Sequence, residues 1–369
     1  MSNQIKRDLI DGLASGRLTR RRLLQTMAGL GIGVVSAPLL GGTASAADET
    51  LSVMTWSGYD IPELAPSFYD AHGKPNFTLM ASDNEGFEKV RAGFRPDMTH
   101  HTSFMLQKLR DADLVQPVDV ARLTNWNDFF PEIQKVGMAD GKNWIAPCSW
   151  GNSSVIYRKD LVEVEEPSWG LLWDERYAGR LAGRDAPEYV YVAGLYSGAN
   201  DPWAMTDSEL SAAKAALMAQ KPLLRFYWAS QTELEQSLAS GEIVAAYGWN
   251  ASVALLKKQG IDMAMLNPKE GLITWTDGLV LYKDHPGPED LAYEFMNAYM
   301  SPEVGQFLIE AYGYGSGNMK AFDRVPAERL DELGISEPGK ILATSWFQKS
   351  PSADLQQKAI AIMDEVKFA

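Results

Sequence analysis

The chain has 369 residues, 34 of them basic and 48 acidic, for a formal net charge of −14. That balance argues against nucleic acid or an anionic membrane surface as the partner and leaves a cationic ligand open. The single cysteine, Cys148, excludes an intramolecular disulfide, so stability must come from an apolar core.

Residues 1–46 read as an export signal. Thr19-Arg20-Arg21-Arg22-Leu23-Leu24-Gln25 fits the twin-arginine pattern, an apolar run follows from Met27 to Leu40, and Ala44-Ser45-Ala46 offers a small-residue cleavage site. The alternative, a membrane anchor, is disfavoured because the run is rich in Gly and Ala and is interrupted by Pro38, whereas a span needs about 20 apolar residues. This segment carries six basic and two acidic side chains, so the remainder is more acidic than the whole. After cleavage no stable membrane insertion is expected.

The mature chain opens with a strand, Leu51 to Trp56, turning at Ser57-Gly58-Tyr59 into a helix from Pro62 to Ala71 that stops at Gly73. Phe77–Met80 and Asp97–Thr99 are further strands, and Glu85–Arg91 and Phe104–Asp111 are helices. This alternation predicts an α/β fold with a mostly parallel sheet, whose ligands sit beyond the strand C-termini. Trp56-Ser57-Gly58-Tyr59 and the stretch from His100 to Phe104 fall at such ends. A second block follows Pro147–Asn152. Thr206-Asp207-Ser208-Glu209 and Ser230-Gln231-Thr232-Glu233 have capping-box spacing, and Ile243–Tyr247 is a strand that delivers Trp249. Helices are predicted over Pro288–Met300 and Ala353–Val366.

No nucleophile elbow, zinc-protease helix, Walker loop or dinucleotide fingerprint occurs. His100 and His101 are adjacent and would point to opposite faces of a strand. One ring at the cleft edge and one in packing is expected, so no metal site and no cofactor are predicted. Tyr312-Gly313-Tyr314-Gly315 reads as a turn presenting one ring. Asp185-Ala186-Pro187-Glu188 suits a helix start, with Asp185 capping and Glu188 near the positive end of the dipole. In Thr274-Trp275-Thr276-Asp277-Gly278 an indole stands beside a carboxylate, with Trp249 upstream. Trp275 can be a core aromatic and Asp277 a turn residue, but together they suit an organic ammonium ion.

The ordered set Trp56-Ser57-Gly58-Tyr59, Trp150-Gly151, Ser168 to Trp173, Asp185-x-x-Glu188, Gly248-Trp249-Asn250, Pro268 to Gly271, Trp275-x-Asp277 and Gly313-Tyr314 resembles the spermidine/putrescine-binding receptors of ABC importers. The resemblance spans the mature chain and implies a type II periplasmic-binding-protein fold, two α/β lobes joined by a strand-crossover hinge. It implies lobe 1 from residues 47–152 plus 275–320 and lobe 2 from 153–274 plus 321–369. It also implies a periplasmic, monomeric receptor, not an enzyme, that hands a small organic cation to an ABC permease. Trp56, Ser57, Tyr59, Thr102 and Phe104 would line the first lobe's face. Trp249 and Trp275 would stack on the ligand, Asp277 would hold one ammonium, Asp185 or Glu188 the other, and Tyr314 would complete the cleft. Gly58 stands where many members have an acid and Phe104 where a tyrosine is common, while a one-residue slip would bring in Ala186 and Tyr189 instead of Asp185 and Glu188. A singly charged amine, an opine or another amino-acid derivative therefore stays open as ligand. So does an exported enzyme using Asp185, Glu188 and His101 as acid–base groups.

Overall fold

A computed structural model describes residues 50–369; the export signal expected over residues 1–46 lies outside the described residues. Among the described residues no helix is long and apolar enough to cross a membrane.

The first block is a parallel set of strands with helical crossovers. Strand β1 (Ser52–Trp56) buries Val53, Met54 and Thr55 and pairs in parallel with β2 (Asn76–Met80) and β3 (Met98–Thr102). Helix α1 (Pro66–His72) starts on a proline and ends at Gly73, whose φ of 76° few other residues adopt without strain. Helix α2 (Asp83–Arg91) is capped by Ser82, which accepts a hydrogen bond from the Glu85 amide. A 3-10 turn, Ser103–Met105, precedes α3 (Leu106–Asp111), so the helix expected from Phe104 begins with a tighter turn.

Strand β4 runs for 13 residues, Ala146–Arg158, and links the two blocks. The second block holds β5 (Leu181–Arg184), α4 (Glu188–Tyr196), α5 (Asp207–Gln220), β6 (Leu224–Trp228), α6 (Gln231–Ser240) and β7 (Ala245–Trp249). Thr206 and Glu209 form the expected reciprocal capping box at α5. Ser230 stands at the cap of α6 but its side chain makes no cap bond there, so the second expected box is absent. Gly241 ends α6 in the left-handed region. Helix α7 (Asn250–Lys258) follows, strand β8 (Ile273–Tyr282) returns to the first block, then comes α8 (Glu289–Tyr299), and α9 (Ala353–Phe368) closes the chain.

The strands form one sheet in the order β2-β1-β3-β8-β4-β7-β5-β6. Its two flanks are parallel, while β3–β8, β8–β4 and β4–β7 are antiparallel. The core divides accordingly. One apolar cluster joins Val155 and Ile156 to Trp169, Tyr189, Trp228, Tyr247 and the α9 residues Leu355, Ile362 and Val366. A second joins Leu51, Phe68, Cys148 and Trp150 to Phe295, Leu308, Phe322, Leu333 and Leu342, and a third gathers Met54, Phe87, Val90, Met105 and Val280 on the other side of the first block's strands. Residues 321–342 thus bury their apolar side chains with the first block, and α9 buries its own with the second.

Between the clusters the buried side chains turn polar. Asn152 accepts a hydrogen bond from Thr274 Oγ1 at 2.7 Å, and its amide donates to Asn250 Oδ1 at 3.2 Å. Trp346–Phe347 pairs with Ile273 and Thr274, so three strand segments cross side by side where the core is interrupted.

Candidate functional site

The crossing strands set the floor of the site. On β4, Ser149, Gly151 and Ser153 alternate onto one face. Across from them on β8 stand Asp277, Trp275 and Ile273, and across from Ser153 on the other side stands Trp249, the last residue of β7. Directly paired residues of antiparallel strands project to the same side. Asp277, Trp275 and Trp249 therefore share one face over a strip of small residues.

Gly151 makes this arrangement possible. A Cβ there would lie 2.2 Å from Trp275 Cζ2, so only a bare backbone lets the indole lie across β4. Gly315 pairs with Trp150, which brings Tyr314 alongside, and the Trp275 and Tyr314 rings meet edge to face at 4.8 Å and 89°. The pairing shifts by a bulge between Asp277 and Gly278, opposite Pro147, which has no amide to offer the ladder. At Gly278 a Cβ would sit 2.3 Å from the Ala146 carbonyl oxygen, so the close approach that turns Asp277 requires glycine.

Asp277 is 5% exposed. Ser149 donates to its Oδ1 twice, from the amide at 3.0 Å and the hydroxyl at 2.6 Å, and His100 Nε2 lies 3.3 Å from Oδ2. Rings in succession bound this carboxylate: His100 to Tyr59 at 4.9 Å, Tyr59 to Tyr312 at 5.1 Å, Tyr312 to Tyr314 at 6.3 Å, and Tyr314 to Trp275. Burial first, and then the charge of Asp277, pushes the phenols of Tyr59 and Tyr314 up, so both remain neutral hydroxyls at ordinary pH. Among the described residues no lysine or arginine pairs with Asp277 within 4.0 Å. A carboxylate ringed by aromatic faces, with no lysine or arginine beside it among the described residues, has the chemistry to accept an ammonium group.

The second block provides a different wall. Trp249 meets the fully buried Trp228 edge to face at 5.1 Å, and the Arg184 guanidinium lies 4.2 Å from the Trp228 ring centre and 5.3 Å from that of Trp249. Asp185 does not cap α4; its carboxylate pairs with Lys367 Nζ at 2.6 Å, because α9 packs against α4 and brings its C-terminal lysine there. Glu188 opens α4 and lies 3.9 Å from Arg184 Nε.

The remaining predicted positions spread over the first block. Ser57 is exposed in the turn after β1, and Trp56 and Phe104 are half-buried against the cluster of Met54, Phe87 and Met105. Thr102 lies across from Asp277, but its hydroxyl donates to Asp83 Oδ2 at 2.6 Å. Both histidines are buried, His100 in the wall around Asp277 and His101 in packing beside Asp83. They do point apart, His100 to Asp277 and His101 to Asp83 at 2.8 Å. An acid–base trio of Asp185, Glu188 and His101 is thus not assembled. The tyrosine turn presents both its rings, and Tyr312 donates its hydroxyl to the Gly58 carbonyl, tying this turn to the one after β1.

Residues 85–332 match the family model described as bacterial extracellular solute-binding protein. The chain belongs to that family. Among its relatives, the putrescine-binding periplasmic protein PotF of Escherichia coli is 28% identical over 342 residues, covering 86% of this chain and 92% of that one. The spermidine/putrescine-binding periplasmic protein of Escherichia coli is 25% identical over 325 residues, covering 85% and 91%. Among solved structures, the spermidine/putrescine ABC transporter substrate-binding protein PotD of Streptococcus pneumoniae superposes with a TM-score of 0.76 at 19% identity, covering 87% of this chain and 99% of that one. The fold is therefore that of two-lobed periplasmic binding proteins, and the family consists of solute receptors rather than enzymes.

In this solute-binding protein Ser149 and Arg184 carry no mark in the sequence, yet Ser149, together with Gly151 and His100, positions the predicted residues. Small polar residues in a strand give no local signal. Only the pairing of β4 with β8 shows that Ser149 faces Asp277.

Proposed function

We propose that this chain is an exported receptor that captures a polyamine-like organic cation, of the putrescine or spermidine kind, and delivers it to an ABC permease. The observation that carries this is Asp277, fixed by two Ser149 donors inside an aromatic arc that holds no lysine or arginine among the described residues. The names of the polyamine-binding relatives support the same ligand class. One ammonium sits on Asp277, and the methylene stem lies against Trp275 and Trp249, where burial is worth about 0.8 kcal/mol per CH₂. Tyr59 and Tyr314 contribute neutral hydroxyls, and Trp56, Ser57 and Phe104 belong to the first lobe's outer rim.

The protein works as a monomer in the periplasm, after twin-arginine export and cleavage following Ala46. Its lobes meet at the crossing strands, and we place residues 321–342 with the first lobe because their core lies there. Ligand favours the closed form because only then does it touch both walls.

Calorimetric titration with putrescine, spermidine and opine-like amines tests the proposal. Binding by at least one amine, weakened by roughly 2–5 kcal/mol in Asp277→Asn, is the expected result. A folded protein that ignores every amine contradicts it.

A further inference from the structure

We infer that the far wall of this cleft takes a carboxylate, so that the best-held ligand is a linear amine ending in a carboxylate, an ω-amino acid, in preference to a diamine. The inference rests on the amine-receptor function proposed above and concerns the other end of the same ligand.

Arg184 ends β5, whose parallel neighbours β6 and β7 end in Trp228 and Trp249. Ligands of such sheets gather beyond these strand ends. The guanidinium already lies by both indoles, so the aromatic surface that would draw a second ammonium has a resident cation. A second ammonium would meet like charge there.

Of the neighbouring carboxylates, Asp185 is held by Lys367 at 2.6 Å, and Glu188 comes only to 3.9 Å from Arg184 Nε, beyond hydrogen-bonding distance, so the guanidinium keeps its donors for a closer anion. The guanidinium itself has donors to spare. Nη1 donates to the Ala229 carbonyl at 3.2 Å, while Nε is buried without an acceptor at hydrogen-bonding distance among the described residues. A guanidinium carries five N–H donors in a planar fork that matches a carboxylate.

The spacing fits a chain rather than an α-amino acid. Asp277 stands opposite Ser149 and Trp249 opposite Ser153, four residues along β4, which is roughly 13 Å of strand rise, and Arg184 lies on β5, one strand beyond Trp249. The two charged side chains reach toward each other across the indoles from backbone positions farther apart than that rise, which leaves room for a linear chain and not for an α-amino acid.

Titrating the native protein calorimetrically with 4-aminobutanoate, 5-aminopentanoate, putrescine and cadaverine tests this. An amino acid should bind at least about tenfold more tightly than the diamine of similar length, and Arg184→Gln should erase that preference while Arg184→Lys keeps part of it. Native protein that prefers the diamines overturns the carboxylate wall and leaves the amine receptor standing. So does a preference that survives unchanged in folded Arg184→Gln. Binding of neither series overturns both.

Discussion

At Asp277 the decisive feature is an imbalance of partners. Ser149 supplies two donors to one carboxylate oxygen, which fixes the group's direction, while among the described residues the other oxygen has only His100 beside it. Hydrogen bonds of this kind hold a buried anion in place without cancelling its charge, so the field stays directed at whatever enters the aromatic arc. Gly151 tests the geometry independently of charge. In Gly151→Ala the new methyl would overlap the indole, and because Trp275 is only half-buried the ring can swing away instead of breaking the core. Overpacking of this type costs about 1–3 kcal/mol. We expect ligand affinity to fall by that order with a smaller drop in the thermal midpoint, read by calorimetry and thermal melting. A loss of stability as large as the loss of affinity would mean Trp275 serves packing alone.

Among the elements, β4 and β8 do the positioning and helices do the supporting. Helix α5 carries a clear pH signature. Glu209, the third helical residue and partner of the Thr206 cap, is held down to about 2, chiefly by the Thr206 amide and then by the Asn200 amide, from an ordinary value of 4.5. A carboxyl depressed in the folded state stabilises it above the ordinary range and loses that contribution as pH falls toward the folded value. The group is exposed, so screening keeps the effect small. Acid titration followed by circular dichroism should show Glu209→Gln less sensitive than the native protein between about pH 4.5 and 2; equal slopes would remove the cap from the pH response. This box was legible because Thr-x-x-Glu before an apolar face is a local pattern, and so was Gly241 as a stop. The Ser230 box failed because spacing alone does not ensure that the side chain turns back to the amide. Strand β4 was not legible: Ser149, Gly151, Asn152, Ser153 and Ser154 have no apolar alternation, and their burial comes from neighbours on both edges. In the same way Trp249, Trp275 and Asp277 could be picked out by type, whereas the pairing of Asp185 with Lys367 depends on α9 folding back from the far end of the chain.

Among the described residues the apolar side chains gather in three clusters, and the long strands that run between them also bury polar side chains at Asn152, Ser153, Ser154 and Thr274. Asn152, Thr274 and Asn250 bond to one another and to the Gly313 carbonyl, so the bridge is tied by directional bonds. We propose that the lobes hinge at these crossing strands. Ligand contacting both walls should therefore reduce the radius of gyration in small-angle scattering, with no change in helix content; an unchanged radius at saturation would argue for a preformed site. The most direct test of the central claim is a crystal structure of the protein with a bound linear amine. The account predicts an amine nitrogen within hydrogen-bonding distance of the Asp277 carboxylate, with Trp275 and Trp249 along the aliphatic stem. An amine seated elsewhere, with Asp277 bonded only to Ser149 and His100, would contradict it.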